Sequence, residues 1–99
     1  MWYFTLKVSP KPNTKIAKEA GGAYVNCWIN FREKEGAEHL AKFYVEQAGW
    51  NHEETQEASW VEKEDYDDDS EGMQNFLAAE ADSGSFVVQQ WGLNGEEEE

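Results

Sequence analysis

Residues 22–31, Gly-Ala-Tyr-Val-Asn-Cys-Trp-Ile-Asn-Phe, alternate strictly. Ala23, Val25, Cys27, Ile29 and Phe31 point to one side of an extended chain. Tyr24, Asn26, Trp28 and Asn30 point to the other. A period of two sustained this far fits a strand with one buried face and does not fit an amphipathic helix. Whatever else the chain does, it must supply a second layer to cover the apolar row.

The N-terminus repeats the pattern. Trp2, Phe4, Leu6 and Val8 alternate with Tyr3, Thr5 and Lys7, which predicts a first strand. Pro10 and Pro12 end it, because proline lacks a backbone donor and fixes φ. The connection over 9–21 is longer than a tight hairpin needs, with Lys11, Lys15 and Lys18 in it and a short helical turn or loop arm at 14–20. The two strands should pair antiparallel across it.

A helix is expected from about Lys34 to Ala48, with Ala37, Leu40, Ala41, Tyr44 and Ala48 as its apolar stripe and Gly49 just past its end. A third strand is expected over about 54–63, Glu-rich and therefore at a sheet edge. A second helix is expected from Glu71 to Asp82, capped by Asp68, Asp69 or Ser70, with Met73, Phe76, Leu77 and Ala81 inward. Residues 85–91 read as the last strand.

This gives an α+β domain over 1–92 and a disordered acidic tail over 93–99. The expected architecture is a four-stranded mixed sheet, β-β-α-β-α-β, with both helices on one face. A ferredoxin-like sandwich is the alternative, and it would need a full helix within 14–20.

Charge narrows the function. The chain has 99 residues and a net charge of −13. Residues 1–49 carry seven basic and five acidic groups, whereas residues 50–82 carry one basic and twelve acidic. Such a balance repels phosphate backbones, so nucleic acid is not an expected partner. No apolar run near 18 residues and no basic leader followed by an apolar stretch is present, so no membrane association is expected and the cytoplasm is the default location. The single cysteine, Cys27, sits on the apolar row and reads as core.

Catalytic motifs are missing. The sequence has no HExxH, CxxC, GxSxG, Walker loop or GxGxxG, and neither His39 nor His52 has metal-ligand spacing. The acidic run around Asp65 departs from the EF-hand pattern: Ser70 stands where Gly is needed and Phe76 where Glu is needed. No metal and no cofactor is expected. With 21 carboxylates a close pair arises by chance, so acid–base chemistry stays open, but a non-catalytic role is the expectation.

Two surfaces remain as candidates. With both helices on the apolar row, the other sheet face shows Tyr3, Tyr24, Asn26, Trp28 and Asn30, joined by Trp60 or Trp91. Tyr and Trp beside Asn on an open sheet read as an interface or ligand platform. Glu62, Glu64, Asp65, Asp67, Asp68 and Asp69 form an acidic patch, extended by Glu53, Glu54 and Glu57, that would steer a basic partner. The expectation is a small acidic protein-interaction domain, such as an inhibitor or immunity-type partner of a basic protein, or one that pairs with itself as a homodimer. The alternative is a dimeric small-molecule-binding or catalytic domain with its site on the aromatic face.

Overall fold

The structure is a computed structural model and describes residues 1–92. The expected tail at 93–99 lies outside the described residues.

Both alternating stretches are strands. β1 (Trp2–Pro10) and β2 (Ala20–Ile29) lie side by side in the middle of a four-stranded sheet. They pair antiparallel from Trp2↔Ile29 to Val8↔Ala23. Between them, α1 (Lys15–Glu19) is a single short turn of helix, whose Thr14 hydroxyl accepts from the Ala17 N–H at 3.2 Å.

After β2 the chain enters α2 (Lys34–Gln47), which ends at Gly49 in the left-handed region, φ 101°. β3 (Trp50–Trp60) then pairs with β1 as one sheet edge. A 3-10 turn at Lys63–Asp65 leads to α3 (Glu71–Asp82), and β4 (Gly84–Gly92) pairs with β2 as the other edge. Ser70 caps α3 by accepting from the Met73 N–H at 3.1 Å. Ser83 ends it in the left-handed region, φ 76°, and its carbonyl accepts from the Asn30 N–H at 2.9 Å.

The α+β class, the four strands and the two main helices are as expected. Two particulars are not. All three ladders are antiparallel, so the sheet is not mixed. The connection through α3 runs from one edge to the other, and β4 returns antiparallel to β3.

The helices also do not share a face. α2 lies on the apolar row: Phe4, Leu6, Val8, Ala23, Val25, Cys27 and Ile29 form one buried core with Ala37, Ala41 and Val45. The two alanines, both fully buried, let the helix axis approach the sheet closely. α3 lies on the opposite face, where Phe76 and Ala79 form a second core with Met1 and Trp28. The crossing begins at the N-terminus. The Met1 ammonium donates to the Val61 carbonyl at 3.1 Å, and the Val61 N–H donates to the Met1 carbonyl at 2.8 Å. This clasp carries the chain around the end of β1 and delivers Tyr66 beneath Trp28.

β3 begins four residues earlier than the expected 54 and ends at Trp60. Its alternation is broken twice, opposite Thr5/Leu6 and Lys7/Val8, where Gln56 and Glu53 are the extra residues. Trp50, at its start, is core.

Candidate functional site

The aromatic row is buried at Trp28 and half-buried at Tyr3, Tyr24, Asn26 and Trp91. Trp28 is only 7% exposed. Its indole N–H donates to the Tyr66 hydroxyl at 2.9 Å, and Tyr3 meets it edge-on with centroids 5.0 Å apart. Tyr66 in turn packs on Phe76 of α3 at 6.0 Å. Burial holds the Tyr3 phenol above its ordinary pKa. Trp28 therefore sits within the α3 layer, with the half-buried Tyr3 packed against it.

Tyr24, Asn26 and Trp91 lie beyond Trp28 along the sheet and are half-buried. Tyr24 and Trp91 stack at 5.1 Å in a tilted pair, and the Thr5 hydroxyl donates to Asn26 Oδ1 at 3.2 Å and also lies 3.3 Å from the Tyr3 hydroxyl. Lys7 stands next to Tyr24 in register. Asn30 falls past the end of β2 and is exposed. Trp60 is on the other face: it pairs in register with Trp2, meets its ring at 5.7 Å, and its indole N–H donates to Glu62 at 2.7 Å.

Trp91 is seated by a missing side chain. A Cβ on the buried Gly22 would fall 2.3 Å from the Trp91 ring. Gly22→Ala should therefore displace the indole from both Gly22 and Tyr24, at a cost of about 1–3 kcal/mol. Denaturant unfolding measures the loss, and the Trp91 indole N–H resonance should shift. Unchanged stability would mean that the ring is not seated there.

The apolar face has an opening of its own. Val25, Tyr44, Val45, Ala48, Trp50, Phe86 and Val88 line a hollow of about 150 Å³ between α2 and β4. Around it Phe43 is 50% exposed, Val88 46% and Tyr44 39%. Sequence pattern placed Tyr44 and Ala48 inward. Ala37 and Ala41 are inward as expected, but Val45 completes the buried row, which turns Tyr44 outward over Phe86, with centroids 5.5 Å apart.

The acidic patch is a surface edge. Glu53, Glu54, Glu57, Glu62, Glu64, Asp65, Asp67, Asp68 and Asp69 are all exposed. They follow β3 and the turn beyond it. Asp65 accepts from the Glu62 N–H at 2.8 Å and shapes that turn. Among the described residues the ion pair is Lys42–Glu38 at 3.6 Å, so none of these nine carboxylates makes an ion pair there, although Lys7 faces Glu54 in register, the Met1 ammonium feels the charge of Glu62, and Lys63 stands between Glu62 and Glu64. Among the described residues no three His, Cys, Asp or Glu side chains converge to hold a metal ion. No helix there is long and apolar enough to cross a membrane.

Cys27 is fully buried, and burial pushes its thiol up to about 12, which rules out a thiolate nucleophile near neutral pH. A hydrogen-bonded chain links α2 to β3. The Thr55 hydroxyl donates to Glu38 at 2.7 Å, so it accepts from His52 Nε2 at 2.9 Å. The Thr55 hydrogen bond, helped by Lys42, holds the Glu38 carboxyl below its ordinary pKa. Desolvation, with Lys42 adding to it, lowers that of His52 against the opposing pull of Glu38, Glu46 and Glu53.

Both shifts have the same consequence on acidification. A lowered His52 makes the unfolded chain the better proton acceptor once pH falls below about 6.5. The stabilisation from a lowered Glu38 is present above about pH 4.3 and is lost as pH falls through the folded value. The melting temperature should thus decline in two steps between neutral and acid pH. Thr55→Val should cost about 1 kcal/mol at neutral pH and flatten the lower step. An unaltered lower step would remove Glu38 from this account.

Comparison with family models, with curated proteins and with solved structures gives no match to this chain.

Proposed function

We propose that this chain is a non-catalytic interaction domain whose acidic edge recognises a basic protein surface. One observation carries the reading. Nine exposed carboxylates run along one edge strand and the turn after it, and no cation of the described fold pairs with any of them. Carboxylates arranged this way add little to stability, but their summed field attracts and orients a partner of opposite sign. The exposed Trp60, at the end of the same strand, supplies an aromatic anchor beside them. An inhibitor or immunity-type partner of a basic enzyme fits this chemistry.

The test is capture of partners at about 0.1 M and about 1 M salt, between which the Debye length shrinks from about 10 Å to about 3 Å. A basic protein should be retained at low salt and released at high salt. It should also be lost when Glu53, Glu54 and Glu57 are changed together to Gln. Equal retention by the neutralised variant would sink the proposal.

The hollow beside α2 favours a second reading, a small-molecule-binding domain. Its volume of about 150 Å³ and carbon-rich lining suit one small apolar ring rather than a polar metabolite. Thermal-shift titration with benzene and indole discriminates: saturable stabilisation supports a ligand site, and none removes it.

A further inference from the structure

Where β3 ends, the acidic edge meets an aromatic corner. Trp2 opens β1, Trp60 closes β3, and the two pair directly in register. Their rings meet at 5.7 Å with 80° between the planes, so the indoles stand nearly at right angles. The start of α2 adjoins them. The Trp2 indole N–H donates to the Arg32 carbonyl at 3.0 Å, and Lys34, the first residue of α2, holds its ammonium over the Trp2 ring at 5.9 Å from the centroid.

Three observations give the corner a preference for cations. The first is Lys34 itself. It is exposed, makes no ion pair among the described residues, and stands at a helix N-terminus, where positive charge is disfavoured. Its ammonium lies over an indole all the same, an arrangement the negative face of the ring stabilises. The second is that Trp60 is 46% exposed, so much of its ring meets solvent beside that cation. The third is a carboxylate fixed at the rim. Glu62 accepts from the Trp60 indole N–H at 2.7 Å. The Met1 ammonium is near Glu62 but donates to the Val61 carbonyl. The corner is also remote from Gly92. Gly92 pairs with Ala20 and Trp2 with Ile29, at opposite ends of β2 and about 30 Å apart along the strand.

We infer that the Trp2–Trp60 corner receives an arginine side chain of the basic partner, and that Lys34 occupies the corner in the free chain. The inference rests on the acidic-edge reading and supplies its anchor.

Arginine fits better than lysine for two reasons. A guanidinium is planar and more weakly hydrated than an ammonium, so it can stack on an exposed indole. Its fork of N–H donors can reach a carboxylate at the rim of the same ring, here Glu62. The ammonium of Lys34 leaves Trp60 exposed, so the flat ring is still to be covered. Lys34 is on a flexible stem at the surface and can swing into solvent when the guanidinium arrives.

The probes are two peptides of equal charge, one alternating arginine with glycine and the other lysine with glycine. Binding to the full chain is followed at about 0.1 M salt by titration calorimetry and by the Trp60 indole N–H resonance. The arginine peptide should bind about fivefold tighter than the lysine peptide and shift that resonance. Trp60→Leu, at an exposed position, should abolish the preference with circular dichroism unchanged. Changing Glu53, Glu54 and Glu57 together to Gln should weaken both peptides alike and leave the preference in place. Lys34→Met should tighten the arginine peptide more than Lys18→Met, which removes the same charge from α1. Equal binding of the two peptides would overturn the inference while leaving the acidic edge standing. So would a preference that survives Trp60→Leu, or equal effects of the two lysine changes. Binding of neither peptide would sink the acidic-edge reading and this inference with it.

Discussion

Trp28→Ala is expected to cost about 3–5 kcal/mol and to free α3 from the sheet before the rest of the molecule unfolds. The core on that face has four buried residues, Met1, Trp28, Phe76 and Ala79, and Trp28 is by far the largest of them. Removing it opens a void in the cluster that holds Phe76 and takes the indole donor from Tyr66. The opposite core, with twelve buried residues, has no contact with the deleted ring that would matter. The loss is large against a total stability of about 5–15 kcal/mol, yet it falls on one layer. Hydrogen exchange should therefore show α3 amides opening by a route that leaves β1 and β2 protected. Trp28→Phe keeps most of the ring and loses only the hydrogen bond, so it should cost far less, about 1–2 kcal/mol. Equal protection of α3 and the sheet in Trp28→Ala would contradict the two-layer account.

That experiment also separates structure from recognition on the row of residues opposite the core. Tyr24, Asn26, Trp28 and Asn30 look equivalent in sequence, since each follows the last by two. They part company because α3 is shorter than the face it covers and lies over β2 and β4 near Trp28. Tyr24 and Asn26, at the far end, are half-buried, and Asn30 is exposed past the strand.

The strands of the sheet centre were legible because each has one strictly apolar row, and a slip of one residue would turn the whole row to water. β3 was harder to place. Its two bulges break the period, and Asn51, His52, Glu53 and Glu54 hide the buried Trp50 that precedes them. The helices were found in place, but their layer was not. α2 and α3 each carry a narrow apolar stripe, and nothing local in a stripe says which side of a sheet it will meet. That choice rests on long-range packing, of Phe76 and Ala79 against Met1 and Trp28, with Met1 also clasped to Val61, 60 residues away. The hollow was hidden for a related reason. It exists because α2 turns Ala37, Ala41 and Val45 to the sheet and Tyr44 outward, a rotation of less than one residue from the expected stripe. The acidic edge was visible as composition, but that its carboxylates make no ion pair among the described residues became evident only when the ion pairs could be traced.

Phe4→Ala should also cost about 3–5 kcal/mol, with a different signature. Phe4 is fully buried on β1, the strand that is paired on both sides, with Cys27 across one ladder and Ala58 across the other. Its ring stacks on Trp2 with centroids 6.1 Å apart and belongs to the core that α2 covers. Truncation leaves a cavity where neither ladder can shift to close it, because moving β1 breaks hydrogen bonds on both sides. The loss is therefore shared by all four strands, and protection should fall together across β1, β2, β3 and α2. Denaturant unfolding should remain a single transition at a lower midpoint with little change in slope. A two-step transition, or loss confined to β3, would show that the edge strand is a separate unit. Because the acidic edge is that same strand, its presentation to a partner depends on the Phe4 core. A variant that melts below the assay temperature should lose partner capture for that reason alone. Phe4→Leu, which keeps most of the buried volume, should restore capture without altering a single carboxylate.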